Sequence, residues 1–161
     1  MKKLFCIFLI LCVFLSGCSY LGNHNKAPVH FYYLCSRYQE DLCCVINSEE
    51  REASGHYGDL NYLLALYLMG PIDDELQSPL PGDVQILSIQ KNGDALRLEL
   101  PDLDSVLTDA DFSVASACLT MTCLDITDVS SVTVLSGTRS VMMNKNSISL
   151  SDGSMEPTTK E

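Results

Sequence analysis

Thiols are the side chains through which this chain would most readily do chemistry, and their spacing decides which kind is open to it. Of eight cysteines, five lie beyond the N-terminal stretch: Cys35, Cys43, Cys44, Cys118 and Cys123. No Cys-x-x-Cys occurs, the spacing used by zinc knuckles and thioredoxin-like redox loops. Cys43 and Cys44 are adjacent, and neighbours on a strand point to opposite faces, so they do not share a metal. Cys118 and Cys123 are five residues apart on a predicted helix, about 140° around its axis, and diverge as well. These thiols read as small buried hydrophobes. A cross-strand bridge between Cys35 and Cys43 stays open, conditional on a hairpin register that sets the two opposite.

The other reactive types are equally unassembled. His24, His30 and His56 fall in a tether, at a strand edge and in a loop. Asp102 with Asp104, Asp109 with Asp111, and Asp73-Asp74-Glu75 could pair carboxylates for acid–base work or for a hard cation. All sit where turns and helix starts recruit carboxylates for local reasons. No Gly-rich phosphate loop, Gly-x-Ser-x-Gly or His-Glu-x-x-His is present. The expectation is a protein without catalytic residues, metal or cofactor.

The N-terminus carries an address. Lys2 and Lys3 precede twelve uninterrupted apolar residues, Leu4 to Leu15. As a helix these span ~18 Å, short of the ~30 Å hydrocarbon core, which suits a signal peptide rather than a permanent span. Leu15-Ser16-Gly17-Cys18 resembles the bacterial lipoprotein box. The resemblance implies cleavage between Gly17 and Cys18, a lipid thioether on Cys18 and, in some bacteria, a further acyl chain on the new amino group. Two or three acyl chains anchor stably where one is marginal. The expected organisation is a signal peptide over 1–17, lipidated cysteine and tether over 18–28, a domain over 29–150 and a disordered tail over 151–161. The membrane is then the first partner, and the location is the extracytoplasmic face of the cell membrane.

The full chain has a formal charge of −11. Without the signal it keeps eight Lys plus Arg against twenty-one Asp plus Glu, a charge of −13. Such a surface repels nucleic acid and anionic headgroups, so no nucleic-acid partner is expected.

The elements that would position any site follow from periodicity. Asp59 caps a helix whose Leu60, Leu63, Leu64, Tyr67 and Leu68 recur at i, i+3, i+4, i+7, i+8, and Gly70-Pro71 stops it. Burying that stripe stabilises by on the order of 10 kcal/mol as an upper figure. Val29 to Cys35 predicts a strand and Asp41 to Ile46 a second, followed by a polar loop over Asn47 to Tyr57. Val84 to Gln90 and Asp94 to Leu100 predict a hairpin around Lys91-Asn92-Gly93. Thr108 opens a second helix with Val114, Ala117, Cys118, Met121 and Leu124 facing the core. Ser131 to Ser136 is a further strand, and Arg139 to Met143 with Ser147 to Leu150 predicts a terminal hairpin. The fold class is α+β, two helices on one face of a mostly antiparallel sheet.

With these elements in order, His30 to Gly137 resembles a GerM domain, the sporulation and spore-germination module of bacterial lipoproteins. The residues that carry the resemblance are Phe31-Tyr32-Tyr33, the Leu-rich helix ending Met69-Gly70-Pro71, Leu80-Pro81-Gly82, Ile86 to Ile89, Asn92-Gly93, and Ser131 to Leu135 with Gly137. Five exported cysteines depart from it. The resemblance implies no catalysis and a scaffold that self-associates or binds an envelope protein. The alternative is a ligand-binding module for a cell-wall fragment or small molecule, using the uncovered sheet face and aromatics among Tyr32, Tyr33, Tyr38 and Tyr57.

Overall fold

The structure is a computed structural model and describes residues 28–36, 45–53 and 55–147. The signal, Gly17, Cys18, the tether, Tyr38, Cys43, Cys44 and the tail lie outside the described residues, and with them the Cys35 to Cys43 bridge.

Strict alternation shapes β1 (Val29–Cys35): Val29, Phe31 and Tyr33 are buried while His30, Tyr32 and Leu34 are half-buried. Its antiparallel partner β2 (Ile46–Arg51) sets Arg51 opposite Val29 and Ile46 opposite Leu34. This corrects the sequence expectation, which made Asn47 onward a loop. Asn-Ser-Glu-Glu-Arg has weak β propensity, and the ladder to β1 overrides it. Of the expected strand over Asp41 to Ile46, only Val45 and Ile46 lie within the described residues.

The first helix, α1 (Leu60–Leu68), forms as its sequence requires. Asp59 accepts a hydrogen bond from the Tyr62 amide at 3.1 Å. Leu63, Leu64 and Tyr67 are fully buried, Leu60 and Leu68 pack at the margin of the core, and Gly70 takes a left-handed φ of 88°. The Tyr67 ring stacks on Tyr33 at 4.8 Å and meets Phe31 edge-on at 5.9 Å. The loop after α1 holds a short strand that periodicity did not reveal, β3 (Leu76–Gln77), paired with the end of β1. The first sheet is therefore β2-β1-β3.

A second sheet, in the order β4-β5-β6-β7, is built from β4 (Ser88–Asn92), β5 (Ala95–Leu100), β6 (Ser131–Ser136) and β7 (Arg139–Asn144). β4 starts four residues later than expected, and its turn is Gly93-Asp94, since Asn92 already pairs with Ala95. β5 and β6 are parallel. Parallel neighbours need a long crossover, and α2 (Asp109–Ile126) supplies it. β7 pairs with β6 across Gly137-Thr138, and the partner expected over Ser147 to Leu150 lies, beyond Ser147, outside the described residues. Gly137 has φ of 56°, and a Cβ there would lie 2.7 Å from Asp102 Oδ1.

Burial on α2 departs from the predicted stripe. Every residue from Cys118 to Cys123 is buried, as are Phe112, Ala115 and Ser116. One apolar face suffices for a helix on a single sheet, whereas α2 touches β1 of one sheet and β6 and β7 of the other. The fold is α+β, with two helices and two mostly antiparallel sheets.

Candidate interaction surface

The chemistry-bearing side chains are best read by what already holds them. His30 lies between two carboxylates, with Nδ1 3.3 Å from Asp125 Oδ2 and Nε2 3.5 Å from Glu50 Oε1. The same Asp125 oxygen accepts the His30 backbone amide at 2.9 Å, and Thr122 Oγ1 accepts the Tyr32 amide at 3.0 Å. These amides point away from β2, where among the described residues β1 has no strand neighbour until β3 begins. Thr122 and Asp125, three residues apart on α2, thus cap an open strand edge. The carboxylate that could orient His30 as a base is part of the scaffold. Burial, and after it the Asp125 charge, raise the pKa of the Tyr32 hydroxyl.

The segment expected to be a polar loop contains the most buried ion pair. Arg51 and Glu49 side chains are 8% and 10% exposed, and Arg51 reaches Glu49 through both Nε and Nη2. Arg51 Nη2 also donates to the Gly70 carbonyl at 2.6 Å, and its guanidinium lies 5.5 Å from the Phe31 ring centroid. Glu49 Oε2 accepts the Ile72 and Asp73 amides at 2.9 and 3.0 Å. Between them the two side chains bind the end of α1 and the turn beyond it. An acid and a base two apart share a face only once the segment is a strand, which its local sequence did not suggest.

Arg139 does similar work in the second sheet. Its Nε lies 2.7 Å from Asp104 Oδ1, its Nη1 donates to the Leu107 carbonyl at 3.0 Å, and it covers Phe112 at 4.4 Å. The carboxylate pairs resolve into turns and caps. Asp102 Oδ1 accepts the Asp104 amide, Asp111 accepts from the Thr108 hydroxyl while Thr108 accepts the Asp111 amide, and Asp73 Oδ1 accepts the Glu75 amide. His56 stacks on Tyr62 at 3.9 Å.

Cys118 and Cys123 are wholly buried, and burial pushes both thiols up to about 12. They are protonated, weak nucleophiles at neutral pH. Cys35 is half-buried at the end of β1. Among the described residues no three His, Cys, Asp or Glu side chains converge as a metal site would need. No described helix is long and apolar enough to cross a membrane.

What remains open to partners is the outer side of the second sheet. In register across the strands it presents Gln90, Arg97, Thr133 and Met142 in one row, and Ser88, Glu99, Leu135 and Ser140 in the next. The opposite side carries Leu96, Leu98, Val132 and Val134 into the core. The aromatics expected to line a cleft are elsewhere: Tyr33 is in the core, and Tyr32 and Tyr57 belong to the first half of the fold. The exposed face is polar, with β4 and β7 as its edges.

Solved structures similar to this chain include the following two. One is a candidate lipoprotein of Clostridium perfringens, at 16% identity and a TM-score of 0.45, over 73% of this chain and 89% of that one. The other holds the tandem GerMN domains of the sporulation protein GerM from Bacillus subtilis, at 19% identity and a TM-score of 0.44, over 78% of this chain and 44% of that one. No protein-family model and no curated protein matches the sequence.

Proposed function

We propose that this chain is a non-enzymatic lipoprotein, anchored through a lipid on Cys18 at the extracytoplasmic face of the membrane, whose α+β domain is an assembly or interaction module of the cell or spore envelope. One observation carries the reading of the domain. The charged side chains with buried or multiple contacts, His30, Glu49, Arg51, Asp125 and Arg139, hold strand edges, helix ends and turns, while the second sheet turns a largely polar face and its edge strands outward. Fixed charges inside and an open ladder outside suit recognition of another chain rather than turnover of a substrate. The basic start, apolar core and Leu-Ser-Gly-Cys box support the anchor. The acidic surface supports a tether in which lipid, rather than charge, holds the membrane.

The test has two arms. Cys18→Ala should abolish lipid incorporation and either release the protein from the detergent phase or leave it as the uncleaved precursor; lipid incorporation that survives the substitution defeats the anchor. Crosslinking of the lipidated protein in native membranes should capture envelope proteins or further copies of itself. Capture of neither defeats the assembly module.

A further inference from the structure

β7 differs from β2 and β4, the other edge strands of five residues or more, in what protects it. β2 carries Glu49 and Glu50, and β4 carries Lys91, which is ion-paired with Asp128. Charges of this kind discourage pairing with a second strand. Between Arg139 and Asn144, β7 reads Ser-Val-Met-Met, with no charge, proline or glycine. Arg139 itself is turned inward to Asp104 and Phe112. No described residue pairs with the outer side of β7, and Met142 is 70% exposed.

Its hydrogen-bonding groups are also set for a partner. The two-residue turn Gly137-Thr138 makes Ser136 and Arg139 the bonded closing pair, and bonded pairs alternate along an antiparallel ladder. The amides and carbonyls of Ser140 and Met142 therefore face outward.

We propose that β7 is a self-recognition edge, through which two copies of this chain pair β7 with β7, antiparallel about Val141, to join their four-stranded sheets into one. Outward groups must meet outward groups, which places the twofold on a residue rather than between two, and Val141 and Met142 are the two residues at the middle of β7. Centring on Met142 sets Arg139 opposite Lys145, two like charges. Centring on Val141 sets Ser140 opposite Met142, Arg139 opposite Met143 and Val141 opposite its own copy, with no like charges facing. Symmetric pairing through β2 would instead bring acidic residues together. Screening the net negative charge strengthens the β7 contact, so added salt favours it. This inference rests on the assembly reading and names one partner and one surface for it.

The test uses the full lipidated chain in membranes. Val141→Cys places two thiols directly opposite in a non-bonded pair, and a mild oxidant such as copper phenanthroline takes the two thiol protons and two electrons to form the disulfide. The expected result is a crosslinked dimer well above the parent background set by the native cysteines. Gln90→Cys, on the β4 edge, should give none above that background. Adding Met142→Pro, which removes an outward amide and leaves the β6 ladder intact, should lower the Val141→Cys dimer by about tenfold with unchanged circular dichroism. No dimer from Val141→Cys, equal dimer from Gln90→Cys, or no effect of Met142→Pro overturns the proposal. So does a dimer that forms only when residues 148–161 are deleted, because the edge then belongs to the chain's own tail. Failure here with other envelope proteins still captured leaves the assembly reading standing, whereas an inert surface in both experiments removes both.

Discussion

The two sheets are stabilised by different means. Around β1 and β2, aromatic stacking of Tyr33 on Tyr67 lies beside a buried ion pair, Arg51 with Glu49, that holds the end of α1. Around β5 and β6, alternating leucine and valine do the same work, and the charged residues of β5, Arg97 and Glu99, are in water. Apolar alternation tolerates loss of any exposed charge. A buried ion pair does not, since removing one partner strands the other in a poor dielectric. The β1–β2 pair should therefore fail through its polar groups and the β5–β6 pair through its apolar ones, Arg139 at the margin of the second sheet being the exception.

Alkali offers the largest perturbation of that contrast. Burial holds the Cys118 and Cys123 thiols at about 12 and raises the Tyr33 and Tyr67 hydroxyls well above their usual range. A group whose folded value is raised stabilises the fold fully below its unfolded value and ceases to do so as pH climbs through the folded one. The contribution is complete at about pH 8 and lost between about pH 9 and pH 12, on the order of 4 kcal/mol per thiol. The described tyrosines all lie in the first half of the fold. Tyrosine fluorescence should report that loss in the same pH window as far-UV circular dichroism; a native signal held beyond pH 12 would break the account.

Next in size is Arg51→Ala, expected to cost about 3 to 5 kcal/mol in urea unfolding because Glu49 stays buried without its partner. Arg97→Ala, an exposed arginine on the second sheet, is its control and should change stability by no more than about 0.5 kcal/mol. Equal effects would mean that the two sheets are not held differently. Between these extremes lies Thr108→Ala, which removes the α2 cap and should cost about 1 kcal/mol in the same assay. Tyr67→Phe should cost least. The Tyr67 hydroxyl is buried with no hydrogen-bond partner, so its removal should leave stability unchanged or raise it by a few tenths of a kcal/mol.

The helix caps, the leucine stripe of α1, the glycine stop at Gly70, the Asn92-Gly93 neighbourhood and the alternation in β5 and β6 were legible in the sequence, because each is a local pattern of 2 or 3.6 residues. The candidate surface was legible only as an uncovered sheet face. β2 was hidden, since its Asn-Ser-Glu-Glu-Arg has neither alternation nor propensity. The Arg51 and Glu49 contacts reach residues 15 to 24 positions away, which no window of the sequence contains. The predicted stripe on α2 missed for a related reason: period measures one face, and a helix between two sheets has two.

By itself the chain determined its acidity, both helices with their caps, and most of the described strands, all set by composition or by neighbours within a turn or a ladder step. Only the tertiary structure decided that the strands divide into two sheets, that β5 and β6 run parallel, that α2 seals the edge of β1, and that no described residue pairs with the outer side of β7. Those outcomes depend on which open hydrogen-bonding edges and apolar faces meet across the whole domain, and that competition is settled by burial at long range rather than by any local preference.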